Sequence, residues 1–303
     1  MAIVIGMIAK EISENVYVIQ GSPKTLIILS KTNSWIVDPG MGEDRPEVIK
    51  KALEELNNHS SIKILLSHAH YDHVEAILGL KDHTTYISRV ELGLLVDPSL
   101  RERYTYGHNI LPRALGLKEL SFYDVDVRPL EAEMGLLDEQ AEIIKLPGHS
   151  PGHIGLGLDD VLFVGDSVFG DKLLKRVGIP YHVDFTAALK TLEYLLDRTS
   201  EYRLVVLSHG PMISGKKAEN IVEYNISIIN RIRELVSEYA SKGEFTIDEL
   251  VGKILKDLSV TITPESVLLG KPLVVSILNH IAKDLEFDLE WKDNKIVWKA
   301  HTR

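Results

Sequence analysis

Short apolar runs broken by turn residues dominate the first two thirds of this 303-residue chain. Val16–Ile19, Thr25–Leu29 and Ser34–Val37 are rich in Val, Ile and Leu and predict neighbouring strands, with Gly21-Ser22-Pro23 as a turn. The apolar opening, Met1–Ala9, reads as a strand before them. Asp38-Pro39-Gly40 ends the third run. Asp44, with Pro46 behind it, then predicts a helix through about Asn57. Ile62–Leu66 reads as a buried strand, and Val74–Leu80 as helical. Ser88 predicts a helix cap, with the helix running to Val96 and stopping at Asp97-Pro98. Residues 101–117 have poor periodicity and read as a covering loop or lid. Strands return at Glu142–Leu146, Ile154–Leu158, Val161–Val164 and Leu204–Leu207, and Asp184 caps a helix through about Arg198.

The pattern changes near Gly215. Ala218–Ser241 predicts a long amphipathic helix with Ile221, Ile228, Ile232, Leu235 and Tyr239 on one stripe. Thr246 and Glu249 form a capping box for a helix through Leu258. Lys271–Asp284 reads as a third helix, and Leu285–Leu289 with Lys295–Lys299 as a hairpin across Lys292-Asp293-Asn294. Three helices and a hairpin are a winged-helix pattern. The expected organisation is a domain over residues 1–215 and a winged-helix-like domain over 216–303.

Composition narrows the chemistry. The chain has no cysteine, so disulfides and thiolate metal sites are excluded and any metal ligands are His, Asp or Glu. That usage suits a reducing compartment, and a cytoplasmic location is expected. No run approaches the roughly 20 apolar residues that span a bilayer. A formal charge of -10 argues against a general nucleic-acid binder, which carries a basic footprint. The balance of Ile, Lys and Glu suggests a thermophile.

The densest chemistry is Ser67-His68-Ala69-His70-Tyr71-Asp72-His73-Val74-Glu75-Ala76. Imidazoles and carboxylates are the usual ligands of zinc-like ions. Four such groups in so short a segment converge poorly on one ion but can face two. Three later places present a ligand type at the end of an apolar strand: His149 in a Pro/Gly-rich turn, Asp166 after Val164-Gly165, and His209 after Leu207-Ser208. A strand end gives rigid support and a loop gives access. Any one of them alone reads as a turn or cap residue. Together with the cluster they predict a dinuclear metal site.

These motifs resemble the metallo-β-lactamase superfamily. Its signature H-x-H-x-D-H is matched by His68, His70, Asp72 and His73, its later ligand motifs by His149, Asp166 and His209 in order, and its early acidic residue by Asp38. The resemblance covers about residues 10–215. It implies an α/β fold, a four-layer αββα sandwich, with the site at one edge of two sheets. It also implies that His68, His70 and His149 hold one ion, that Asp72, His73 and His209 hold a second, and that Asp166 bridges them. Asp38 would orient a ligand imidazole from behind. One departure stands at Glu75-Ala76, where many relatives carry a Gly pair. Glu75 reads either as an exposed helix carboxylate or as support for the site.

Two divalent ions about 3.5–4 Å apart turn bridging water into hydroxide near neutral pH. Zinc is expected, with iron or manganese as alternatives. Asp72 is the expected catalytic carboxylate, orienting that hydroxide. The expected reaction is hydrolysis of a small ester or thioester. Tyr181, His182, Tyr104 and His108 are candidates to face the substrate, with Tyr106 also on the lid, and His153 is expected to pack behind the site. The tail is similar to that of a superfamily branch related to hydroxyacylglutathione hydrolases, which includes ribonucleases acting on single-stranded RNA. A phosphodiesterase or ribonuclease is therefore the alternative activity, and a non-catalytic nucleic-acid-binding regulator an alternative of another class. Residues 216–303 carry 13 Lys and Arg against 14 Asp and Glu. The candidate recognition helix, Pro272–Asp284, is mostly apolar, which suits phosphate contacts poorly. The hairpin mixes Trp291 and Trp298 with Lys292, Lys295, Lys299 and Arg303, a pattern that suits single strands and equally the lysine protection of an edge strand. The tail is otherwise a cover for the site edge or a homodimer contact.

Overall fold

The computed structural model describes residues 7–58, 60–106, 120–130, 141–283 and 285–302. The chain packs as two compact units. One comprises residues 1–145, 152–165 and 201–212, the other residues 146–151, 166–200 and 213–303.

The first unit contains two sheets. β1 (Ala9–Ser13), β2 (Val16–Ile19), β3 (Thr25–Leu29), β4 (Asn33–Val37), β5 (Ser61–Leu65), β6 (His83–Ile87) and β7 (Val127–Pro129) pair in sequence order. The pairing is antiparallel up to β4 and parallel from β4 onward. The second sheet runs β11 (Leu204–Val206), β10 (Val161–Phe163), β9 (Ile154–Leu158), β8 (Ala141–Lys145).

Strand alternation decides what each face buries. Ile27, Ile36 and Ile64 share one core with Ile49 and Leu53 of helix α1 (Arg45–Glu55). Leu26, Ile28, Trp35, Val37 and Leu65 point the other way, into a core with Ile154, Leu156, Phe163 and Val206 of the second sheet. Both faces of β3 are thus covered, which is why Leu26–Leu29 reads as an unbroken apolar run. Each fully buried Ile or Leu contributes roughly 1.5–3 kcal/mol. Helix, sheet and sheet are three of the layers expected of the αββα fold, and the second unit is rich in helix.

The described part of the first unit also has short helices α2 (Tyr71–Val74), α3 (Leu92–Val96) and α4 (Pro98–Tyr106). Two expectations need correction here. Residues 101–106 are helical and not a lid loop: Pro98 starts α4 where the sequence pattern placed a stop, because proline suits the first turn of a helix. Among the described residues the first strand begins at Ala9, and Met7 and Ile8 of the expected strand lie before it. The rest of the expected lid, with His108, and residues 1–6 lie outside the described residues.

The second unit holds α5 (Asp171–Val177) and α6 (Phe185–Arg198). β12 (Met212–Ser214) carries the chain over from the first unit, and then come α7 (Gly215–Ser241), α8 (Ile247–Asp257), α9 (Pro264–Ile281) and a hairpin, β13 (Leu285–Lys292) with β14 (Lys295–Thr302). Asp184 caps α6 by accepting from Ala187 N, and the Thr246–Glu249 capping box opens α8. Ile232 and Leu235 of the predicted stripe of α7 are buried, and Val222, Asn225, Ile229 and Val236 are buried with them, whereas Ile221, Ile228 and Tyr239 are only partly covered. The third helix begins at a Thr263–Ser266 capping box, seven residues before Lys271, and continues through Pro272. Three helices and a hairpin are as expected for the tail.

Candidate metal centre

In the first unit, β5 delivers the His-rich segment from the buried end of a central strand. His70 stands just before α2, so Asp72 and His73 occupy its first turn. His68 and His73 are fully buried. Asp72, His73 and His209 bring their donor atoms within 4.8 Å of one another. Asp72 Oδ2 is 3.0 Å from His209 Nε2 and 3.8 Å from His73 Nε2. His70 packs edge-on to His68, with ring centroids 4.5 Å apart.

Asp38 organises this group from behind. It is fully buried and follows β4 with φ at 48°, a left-handed conformation that asparagine and aspartate adopt at least cost. Its backbone is fixed on both sides, N–H donating to Leu65 O and C=O accepting from Thr25 Oγ1 at 2.7 Å. Its Oδ1 accepts from Ser67 N at 2.8 Å. Its Oδ2 accepts from Ser67 Oγ at 2.6 Å and lies 2.8 Å from His73 Nδ1. Since the Ser67 hydroxyl proton goes to Asp38, its oxygen accepts from His68 Nδ1 at 2.9 Å. One carboxylate therefore sets the tautomer of two imidazoles, with Nδ1 protonated and Nε2 left as the donor.

His209 is held by the turn before β3. Ser22 Oγ is 2.7 Å from His209 Nδ1. Lys24 N donates to Ser208 O, and the buried Lys24 ammonium donates to the carbonyls of Leu207 and Gly210. Burial lowers the Lys24 pKa. Glu75 is not a free helix carboxylate. It accepts from Gly42 N at 3.0 Å and from the Tyr71 hydroxyl at 3.1 Å, and Ala76 N donates to Gly40 O. The Glu75-Ala76 departure thus ties α2 to the loop that follows Asp38. His153 packs as expected. It is buried, its ring is 5.0 Å from His68, and a Cβ on Gly165 would lie 2.5 Å from its Nε2.

The second unit brings together the other two expected ligands. His149 Nε2 is 3.6 Å from Asp166 Oδ2, with both side chains buried. His149 Nδ1 donates to Tyr181 O at 2.8 Å. Tyr181 thus acts through its backbone, and its ring stands 5.4 Å from the imidazole. His182 is buried beside His149 and Phe169. Burial pushes the His182 imidazole down to about 4, against the pull of Asp166, so it is neutral in the folded protein. Tyr104 lies on α4 and is exposed.

Four of the imidazoles, His68, His73, His149 and His209, share one arrangement: Nδ1 is anchored by an oxygen and Nε2 remains for coordination. Carboxylates stand beside three of those Nε2 atoms. Such a donor set fits divalent ions. The anchors Ser22, Ser67 and the Tyr181 carbonyl are not evident from residue type. Only the place of Ser67 at the head of the His-rich segment hints at its role.

A family model described as the metallo-beta-lactamase superfamily matches residues 11–209. The chain belongs to that superfamily. Hydroxyacylglutathione hydrolase 1 of Vibrio vulnificus is 29% identical over 204 residues, which cover 65% of this chain and 69% of that one. A beta-lactamase domain protein from Burkholderia ambifaria has the same fold, with a TM-score of 0.65 at 16% identity over 97% of this chain and 93% of that one. A metallo-beta-lactamase family protein from Thermus thermophilus gives the same TM-score at 15% identity over 96% and 100%. The chain is a metal-dependent hydrolase of this superfamily, which displaces the reading as a non-catalytic regulator. Among the described residues no helix is long and apolar enough to cross a membrane.

Proposed function

We propose that the protein is a dinuclear zinc hydrolase of small acyl esters, thioesters foremost. In this reading His68, His70 and His149 hold one ion, Asp72, His73 and His209 the other, and Asp166 serves both. The observation that carries it is the common anchoring of four imidazoles through Nδ1, which prepares their Nε2 atoms for metal. The thioester preference draws on the likeness to hydroxyacylglutathione hydrolases.

When bound, the two ions activate water and polarise the substrate's acyl oxygen. The chain's own residues do the rest. Asp38 and Ser67 hold His68 and His73 in one tautomer. Asp72, with a side chain one-third exposed, is the ligand carboxylate that water reaches, and it orients the attacking water. His182, neutral and buried, adds no charge beside His149.

An RNA-cleaving role draws less support. Lys292 and Lys295, two of the hairpin cations, are paired with Glu244 at 2.7 Å and Glu249 at 3.1 Å. Those pairs explain the basic residues without phosphate. The test is metal analysis of the purified protein together with a panel of an acylglutathione thioester, a lactone, bis-p-nitrophenyl phosphate and single-stranded RNA. About two zinc ions per chain and the highest kcat/KM on the thioester are expected. Full activity after complete metal removal would overturn the reading.

A further inference from the structure

Glu91 is a second buried carboxylate of the first unit, 1% exposed, and it belongs to none of the groups above. One of its oxygens accepts from Ala69 N at 3.2 Å, the other from Gly152 N at 2.8 Å. Ala69 is the residue between His68 and His70. Gly152 adjoins His153, whose ring lies against His68. Glu91 therefore spans two backbone segments that the sequence separates by more than 80 residues.

The place of Glu91 is itself fixed. Its N–H donates to Ser88 O at 2.9 Å and its C=O accepts from Leu95 N at 2.9 Å, so it ends a turn and opens α3. The turn approaches Gly152 closely. A Cβ there would lie 2.3 Å from Ser88 Oγ and 2.8 Å from Glu91 Cγ. Glycine at 152 and a long carboxylate at 91 thus answer one another: the missing side chain lets the turn come near enough for Glu91 to reach the amide.

We infer that Glu91 is a positioning residue for the metal-ligand turn, holding His68 and His70 in register through the Ala69 amide; this rests on the metal reading proposed above. The residue type follows from the geometry. A carboxylate accepts on both oxygens, as two converging N–H groups require. Glutamine of the same shape would turn an NH2 group against one of them and leave a buried amide unpaired. Aspartate is one methylene too short to span both.

The test compares wild type, Glu91→Gln and, as a surface control, Glu47→Gln, which alters an exposed side chain. Zinc affinity is measured by chelator competition and ligand geometry by the absorption of the cobalt-substituted protein. Glu91→Gln is expected to lose about 10- to 100-fold in affinity, the range for residues that orient ligands from behind, and to shift the cobalt spectrum, with Glu47→Gln unchanged. Wild-type affinity and spectrum in Glu91→Gln would overturn the inference. A wild-type protein that binds no metal would instead sink the metal reading, and this inference with it. Should Glu91→Gln fail to fold, amide exchange in the wild type decides: protected Ala69 and Gly152 amides support the role, and rapid exchange at both overturns it.

Discussion

Asp38 Oδ2 lies 2.8 Å from His73 Nδ1, with both side chains fully buried. The pair couples the end of β4 to the first turn of α2, and Ser67 extends it to His68. A strand-end carboxylate thereby orients two imidazoles, one from each of the two ligand sets proposed above. Asp38→Asn keeps the shape but turns an amide NH2 towards groups that need an acceptor. Zinc affinity should fall by about 10- to 100-fold, measured by chelator competition. The loss should exceed that of Ser22→Ala, because the His209 side chain is 12% exposed and water can replace the serine hydroxyl there.

The loop before His149 makes a second, independent claim. Gly148 has φ at 132°, and a Cβ on it would lie 2.4 Å from the backbone of Ala188 in α6. Its carbonyl also accepts from Val183 N and Asp184 N. Neither the conformation nor the space admits a side chain. Gly148→Ala should destabilise the protein by about 3 kcal/mol or more, the scale of overpacking with backbone shift. Thermal unfolding checks it: a loss of about 3 kcal/mol lowers the midpoint of a chain this long by about 5 °C, and a midpoint within about 1 °C of wild type would refute it.

Much of this arrangement could be read from residue type and spacing. Strands buried on both faces announce themselves as apolar runs, so β2, β3, β4 and β9 stand within a residue of expectation. Histidine and aspartate are chemically distinctive at strand ends, so Asp72, His73 and His209, which the fold brings together, could be named, as could the pair His149 and Asp166. Short elements in polar sequence could not. β6 begins His83-Thr84-Thr85 and β7 has three residues, too few to show a period. The anchors were hidden for another reason: Ser22, Ser67, Lys24 and Glu91 act through ordinary hydrogen bonds, and only the fold brings their partners close. On α7 the apolar period found Ile232 and Leu235, but the burial of Asn225, a polar residue, between Val222 and Ile229 was not evident from residue type.

That Asn225 gives the C-terminal region a structural task. Its Oδ1 accepts from Phe169 N at 3.0 Å, and its Nδ2 donates to Phe169 O at 2.9 Å and Ile221 O at 2.7 Å. Phe169 lies three residues after Asp166 and packs on His149. On α9, Ser276 Oγ accepts from Phe185 N at 2.8 Å, and His280 bonds Thr186. Asn225→Ala strands two buried backbone groups of Phe169 and should cost about 2–4 kcal/mol, read by urea unfolding. Removing residues after 215 should abolish metal binding and depress every substrate of the panel alike. Selective loss of RNA cleavage would contradict this role.

Stability should also fall in mild acid through a histidine remote from the ligands. His83, at the start of β6, has its pKa lowered by burial, against the carbonyls of Ile77 and Leu80 and the carboxylates of Asp126 and Asp82. In the unfolded chain the same imidazole titrates near about 6.5. Above that pH both states are neutral and the folded protein loses nothing. As pH drops below about 6.5 the unfolded chain takes up a proton that the folded protein refuses, so stability declines until the lower folded pKa is passed. His83→Gln removes this titration. Urea unfolding of wild type and variant at about pH 7.5 and 5.5, either side of the unfolded pKa, isolates the effect, since every other group is common to both proteins. The variant should lose less stability over that interval. An equal or greater loss would show that His83 is not held neutral by burial.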